Sequence, residues 1–233
     1  MCKPSTIAID GPAASGKSTL GYYLAQRLSY LYLDTGALYR AVTWAALQQG
    51  LDINDEARIT RLAEEVQIDV LAPAVADGRQ YTVALAGEDI TWEIRSPEVD
   101  RTVSPVSTYP GVREALTQQM RRIAAQGRVV MVGRDIGTVV LPDADLKIYV
   151  VASSEERAHR RLLDRTEQGR APSFEQMLQE IRRRDEIDSS RAAAPLRPAA
   201  EAILFDTTAL TKEQMFNAVE QLVDSFTCNL SGE

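Results

Sequence analysis

Residues 6–10, 30–33, 129–132, 146–151 and 203–205 are short, mostly apolar runs rich in Val, Ile and Leu. Runs of this kind, apolar without alternation, suit strands covered on both faces. Between them the apolar positions fall three and four apart. Leu20, Leu24 and Leu28 do so within 18–28, and similar patterns predict helices over 37–49, over 110–125 before Gly127, and over 51–66, where Ile59, Leu62, Ala63 and Val66 share a face. Ser96-Pro97 opens another helix, Ser153 with Glu156 makes a capping-box pattern for the next, and a last one runs from Thr211. Strands alternating with helices predict an α/β fold of three layers with a central parallel sheet.

One stretch departs from this rhythm. Val66, Ile68 and Val70 alternate, as do Tyr81, Val83 and Leu85, with residues 76–79 as turn material between them. Ile90-Thr91-Trp92 predicts a third short strand. Residues 67–95 are therefore expected to form a small β-rich insertion in a core made of 1–66 and 96–233, placed as a mobile cover by analogy with other active sites.

Composition narrows the classes. A chain of 233 residues can bury one good core with a small insertion. Its 45% hydrophobic and 25% charged residues are ordinary for a globular protein. A net charge of −7 argues against a general binder of nucleic-acid polymers, so an anionic ligand would need a local arginine cluster. The two cysteines, Cys2 and Cys228, make no disulfide framework, and the single histidine, His159, argues against a structural zinc site. No run spans a membrane and the start lacks a signal pattern, which leads to the expectation of a cytoplasmic enzyme.

The chemistry concentrates at Gly11-Pro12-Ala13-Ala14-Ser15-Gly16-Lys17-Ser18. Two glycines four residues apart, then Lys and Ser, between a strand and a helix, form a phosphate-binding loop. Such a loop turns its N–H groups toward phosphate oxygens, and the helix N-terminus behind it favours negative charge, so residues 11–19, through Thr19, are expected to bind the nucleotide. Lys17 is expected at the outer phosphates of a nucleoside triphosphate and the Ser18 hydroxyl at Mg²⁺, with Asp34 or Asp135 acting on that ion through water. The plainer alternative, a glycine turn with a chance Lys-Ser, lacks a reason for the matching strand and helix.

Other candidates lie past the ends of later strands, where open α/β sheets bind ligands. After 30–33 come Asp34, Thr35, Tyr39 and Arg40; taken alone, Tyr39 reads as a core aromatic and Arg40 as a surface charge. After 129–132 comes Gly133-Arg134-Asp135, an arginine suited to phosphate and an aspartate suited to Mg²⁺ waters. Ten arginines then fall between 157 and 197. Helix-surface pairing with neighbouring acids accounts for some, such as Arg182 and Arg183. The functional reading is a lid over about 157–172 that brings guanidinium groups to a transferring phosphoryl. Arg184, Asp188 and Arg191, spaced four and three apart, share one helix face.

Over nearly its whole length the chain resembles the bacterial cytidylate kinases. The resemblance rests on Ile9-Asp10-Gly11-Pro12, Leu33-Asp34-Thr35-Gly36-Ala37-Leu38-Tyr39-Arg40, Val112-Arg113-Glu114-Ala115-Leu116, Gly133-Arg134-Asp135-Ile136-Gly137-Thr138-Val139-Val140, Arg184-Asp185 with Asp188 and Arg191, and Ala194-Pro195-Leu196. Thr35 stands where Ser also occurs, and Glu201 where Asp is expected. The resemblance implies a P-loop kinase fold with an Arg-rich lid, and Mg²⁺-dependent phosphoryl transfer from ATP to CMP or dCMP by a monomer. It implies that Thr35, Arg40 and Arg134 bind the acceptor phosphate, with Tyr39 nearby. Ser104, Arg113 and Arg191 would address the cytosine, with Asp135 beside them, and Arg184 and Asp188 the pentose. Lys17, Arg134 and Asp135 would act at the reacting groups, aided by lid arginines such as Arg157, Arg161 and Arg170. Two rivals are a P-loop kinase for another small acceptor, which the Tyr39-Arg40, Arg113 and Asp188 set opposes, and a guanine-nucleotide switch, which would need an Asn-Lys-x-Asp-type reader that this sequence lacks.

Overall fold

The computed structural model describes residues 3–167, 172–191 and 194–226. Cys2, Cys228 and Arg170 lie outside the described residues, as does the part of the expected lid at 168–171. In chain order the elements are β1 (Thr6–Asp10), α1 (Lys17–Leu28), β2 (Leu31–Asp34), α2 (Gly36–Gln48), α3 (Glu56–Glu65), β3 (Ile68–Leu71), β4 (Thr82–Leu85), β5 (Glu88–Asp89), α4 (Pro97–Val106), α5 (Pro110–Ala124), β6 (Val129–Gly133), β7 (Leu146–Val151), α6 (Ser154–Glu167), α7 (Phe174–Ser190), β8 (Ile203–Asp206) and α8 (Lys212–Asp224). A 3₁₀ turn at Glu93–Arg95 precedes α4, and a π-helical turn at Ile136–Val140 follows β6.

Five strands form a parallel sheet in the order β2-β6-β1-β7-β8. Ile7, Ile9 and Val129 through Val132 have no exposed surface, as befits central strands with helices on both faces. The register puts Asp10 opposite Gly133 and Tyr149, and Asp34 opposite Val132. The chain therefore leaves β1, β2 and β6 at one edge of the sheet, and the sequence candidates gather there. Close packing sets α1 on the sheet. A Cβ at Gly21 would lie 2.4 Å from a Val132 methyl, so only glycine lets the helix come this near.

A second sheet is antiparallel, in the order β3-β4-β5. Its third strand is Glu88–Asp89 and not the expected 90–92. Ile90 N–H still reaches Val83 O at 2.9 Å. Thr91 then turns inward, its Oγ1 accepting the Val83 N–H at 2.9 Å and donating to Asp89 at 2.6 Å, and this ends the ladder. Arg79 binds both Asp77 and Asp89, and Trp92 Nε1 donates to Asp77 at 2.8 Å. Tyr81 leans on Tyr32 of β2, with ring centroids 5.7 Å apart, and so ties this sheet to the main one.

Helix starts also differ from expectation at two places. The helix expected over 51–66 begins at Glu56, because the Asp55 side chain accepts the Arg58 N–H at 3.1 Å and caps it there. The capping box at Ser153 is only half made. Ser153 Oγ accepts the Glu156 N–H at 3.1 Å, but Glu156 is drawn to Arg160 at 2.8 Å and Ser153 N–H donates to Thr208. Complete boxes form instead at Ser173 with Gln176 and at Thr211 with Gln214. Arg182 is exposed as expected but pairs across helices with Glu155 at 3.0 Å, not along its own helix.

Candidate active site

The loop between β1 and α1 is built from backbone. A Cβ at Gly11 would fall 2.1 Å from Val150 O, so the chain can pass β7 here only as glycine. Gly16 (φ 91°) enters α1, and Ala14 is also in the left-handed region (φ 59°), a conformation costly to a non-glycine residue and common at ligand-binding loops. No side chain caps α1 and no acid occupies its first turn, which leaves N–H groups for an anion. The Ser15 hydroxyl is buried without a partner. Lys17 is buried and folds back to donate to Pro12 O at 3.0 Å. Burial, and then the charge of Arg134, push its ammonium well below the usual lysine range, a shift that a bound polyphosphate would oppose. Thr19 follows in the same helix. Ser18 Oγ donates to Asp34 Oδ2 at 3.0 Å, a hydroxyl and a carboxylate side by side. Thr207, from the turn after β8, donates to Ser15 O at 2.9 Å and accepts from Arg160 at 3.0 Å, bracing the loop from behind.

Across the sheet edge, the start of α2 is tied to β6 and β2. Thr35 donates to Val132 O from both its Oγ1 and its N–H at 3.0 Å instead of capping with its side chain, Asp34 Oδ1 takes the Gly36 N–H at 3.1 Å, and Thr35 O takes the Leu38 N–H at 3.1 Å. Around that helix start stand arginines already matched to carboxylates. Arg40 donates to Asp100 of α4 at 2.5 Å and to Ile94 O at 3.2 Å. Arg113 of α5 donates to Asp135 at 2.7 Å, both nearly wholly buried, and its guanidinium carbon lies 5.5 Å from the Tyr39 ring centroid. Burial raises the Tyr39 phenol to about 12. Arg134 donates to Asp188 of α7 at 3.0 Å, and Arg191 approaches the other Asp188 oxygen at 3.9 Å with one buried nitrogen lacking a partner. The Arg191 and Arg184 guanidiniums are both held below their usual range, first by desolvation and then by a neighbouring arginine, although Arg184 keeps an exposed side chain on α7. A cluster with surplus positive charge and a buried donor lacking a hydrogen bond, inside an acidic protein, suits anionic and hydrogen-bonding groups.

The Cytidylate kinase family profile matches residues 7–225. The chain belongs to the cytidylate kinase family. It is thus a member of a family of phosphotransferases. Curated cytidylate kinases from Chloroflexus aggregans and Herpetosiphon aurantiacus are 52% and 50% identical to it, the first over 91% of this chain and 90% of its own, the second over 96% of each. The cytidylate kinase of Bacillus licheniformis is 46% identical over 96% of this chain and 98% of its own. A crystal structure of an uncharacterized protein from Eubacterium ventriosum shares the fold, with a TM-score of 0.53 at 10% identity, covering 94% of this chain and 98% of the other.

Within this cytidylate kinase family chain, the remaining candidates are spread more widely. Ser104 is exposed on α4, one turn before Ser107, whose carbonyl accepts from Arg113 at 3.1 Å. Arg157 is buried and its guanidinium is already engaged. It makes two bonds to Asp185 of α7, at 2.9 and 2.6 Å, and one to Ala13 O at 3.3 Å. Arg161 is half-buried one turn on in α6. Three carboxylates that the sequence reading gave no role hold these pieces: Asp100 on Arg40, Asp185 on Arg157, and Asp10 on the turn after β6. Asp185 stands inside a quoted motif, and Asp10 directly before the loop; Asp100 carries no local signal. Among the described residues no cluster of three or more His, Cys, Asp or Glu could hold a metal, and no helix is long and apolar enough to cross a membrane.

Proposed function

We propose that this chain transfers the γ-phosphoryl group of ATP to CMP or dCMP, yielding ADP and CDP or dCDP. One observation carries the reading: an uncapped phosphate loop faces, across one sheet edge, an arginine–carboxylate cluster with an unpartnered buried donor on Arg191. Gly11 through Thr19 cradle the donor phosphates, with the N–H groups of α1 as the anion site. Lys17 is the buried cation at the outer phosphates. An acceptor phosphate oxygen bonds to the γ-phosphorus as the bond to the bridging oxygen of ADP breaks; positioning and charge neutralisation do most of the work.

Thr35, Arg40 and Arg134 take the acceptor phosphate, which must exchange with Asp100 on Arg40 and share Arg134 with Asp188. Arg113, Arg191 and Ser104 address the cytosine in the neighbourhood of Asp135 and Tyr39, and Asp188 with Arg184 the pentose. Arg157 and Arg161 of the lid add charge near the transferring group once Arg157 loosens from Asp185. Residues 67–95, with the small sheet at their centre, form the inserted subdomain on the acceptor side. Mg²⁺ fits the hard-oxygen pair of Ser18 and Asp34, which would hold it directly or through water, with Asp135 a second candidate; so sparse a donor set suits an ion completed by phosphate oxygens, whose charge it neutralises. A cytoplasmic monomer serving pyrimidine nucleotide metabolism is the matching setting, and size-exclusion chromatography tests the monomer. The decisive experiment is ADP release measured with CMP, dCMP, UMP and AMP, with and without excess EDTA. CMP and dCMP are expected as good acceptors in Mg²⁺ only, and preference for AMP or UMP overturns the reading.

A further inference from the structure

The turn after β6 presents a capping problem solved from another strand. Asp135 stands at the N-cap of the π-helical turn Ile136–Val140, and aspartate there ordinarily accepts N–H groups of its own turn. Here it does not. Its carboxylate is turned away to Arg113 at 2.7 Å. The orphan donors are taken by Asp10, the last residue of β1, whose two oxygens accept the Ile136 and Gly137 N–H groups at 2.8 and 2.7 Å. Asp10 is 4% exposed, and both bonds are buried.

The geometry points to Asp10 as a positioning residue for the acceptor, one that caps in trans so that Asp135 can face Arg113 and the cleft. Resting on the proposed acceptor reading, this gives Asp10 two structural consequences. It pins the peptide that carries Arg134 and Asp135. Because Gly11 follows it directly, it also ties that peptide to the first residue of the phosphate loop, so donor and acceptor groups share one anchor. Were Asp10 absent, Asp135 at the N-cap would be placed to accept the Gly137 N–H itself, and doing so would withdraw it from Arg113.

Asp10→Asn tests this, since an amide can accept only one of the two N–H groups and turns its own NH₂ toward the other. In a variant that keeps a cooperative melt, kcat/KM for CMP is expected to fall at least roughly thirtyfold while KM for ATP stays within about threefold. In an Asp135→Asn background the same change is expected to cost several-fold less than in wild type, because the carboxylate it protects is already gone and only the placement of Arg134 remains to be lost. CMP kinetics within about threefold of wild type, or an equal loss in both backgrounds, overturns the inference. If Asp10→Asn does not fold, amide exchange on the wild-type protein decides: Ile136 and Gly137 should be protected to the level of β1, and exchange at unstructured rates overturns the cap. Wild-type protein that ignores CMP instead sinks the acceptor reading, and the exchange measurement still judges the cap.

Discussion

The two halves of the cleft are made differently. The donor half is one run of nine residues, Gly11 to Thr19, and its working groups are main-chain N–H groups with Lys17 added. The acceptor half draws Thr35 and Arg40 from α2 and its cap, Arg113 from α5, Arg134 and Asp135 from the end of β6, and Asp188 and Arg191 from α7 and its end. Its working groups are side chains, nearly all already paired, with one buried Arg191 nitrogen left without a hydrogen bond. A backbone site can stand open, because helix ends always have spare donors. Buried arginines cannot stand unpaired at comparable cost. The acceptor half therefore works by partner exchange, while the donor half offers groups left over from the fold.

Removing the cation of the donor half is the largest test of this contrast. Lys17→Ala is expected to lose about 3 kcal/mol or more of transition-state stabilisation, a hundredfold or greater fall in turnover in steady-state assays of the folded variant. Near-normal turnover would mean that the backbone alone suffices.

Asp188→Ala attacks the acceptor half at its shared carboxylate. It strips the partner from Arg134 and Arg191 together, and kcat/KM for CMP is expected to fall roughly a hundredfold with ATP affinity nearly unchanged. Equal damage to both substrates would erase the division between the halves. Acceptor choice comes next: UMP should trail CMP by at least roughly tenfold in kcat/KM, because uracil presents a carbonyl where cytosine presents an amine.

Asp10 adds a pH signature. Burial, more than the neighbouring Asp135 charge, raises its carboxyl from 3.8 to about 6 against the pull of two N–H bonds. A carboxyl raised on folding contributes stability that is fully present below its unfolded value and lost as pH rises through the folded one. Relative to Asp10→Asn, the wild type should therefore lose on the order of 1–3 kcal/mol between about pH 4 and 6 in parallel denaturant titrations. A flat difference would contradict the buried, ionising carboxylate.

The smallest effect runs the other way. Asp100→Asn frees Arg40 from a half-exposed pair, a type worth up to about 1 kcal/mol, so CMP should bind up to about fivefold tighter in calorimetry. Weaker binding would make Asp100 a support for Arg40 and not its competitor.

This contrast also decides what could be read in advance. The alternating strands and helices and the loop motif were plain from periodicity and spacing, since each lies in one short window. Tyr39 and Arg40, taken singly, look like core and surface, and only the family resemblance drew them to Arg113, about 70 residues on. Thr91 shows why the third small strand lies at Glu88–Asp89 and not at 90–92: its hydroxyl competes for the ladder bond of Val83, a contact no alternation reveals. The role of Asp10 is not legible in sequence because its partners are amides 126 and 127 residues away.

The pairing of β1 with β6 carries one more implication. Asp10 lies opposite Gly133, so the loops leaving these two neighbouring strands set off from the same rung of the ladder. A slip by one rung would shift them against each other by about 3.3 Å, several times the misplacement of about 1 Å that can cost a hundredfold in rate. Insertions and deletions can then accumulate in the turns around β3, β4 and β5 with little effect on alignment, whereas one residue gained or lost inside Val129–Gly133 would leave a chain able to fold around the error yet with its two substrates out of line.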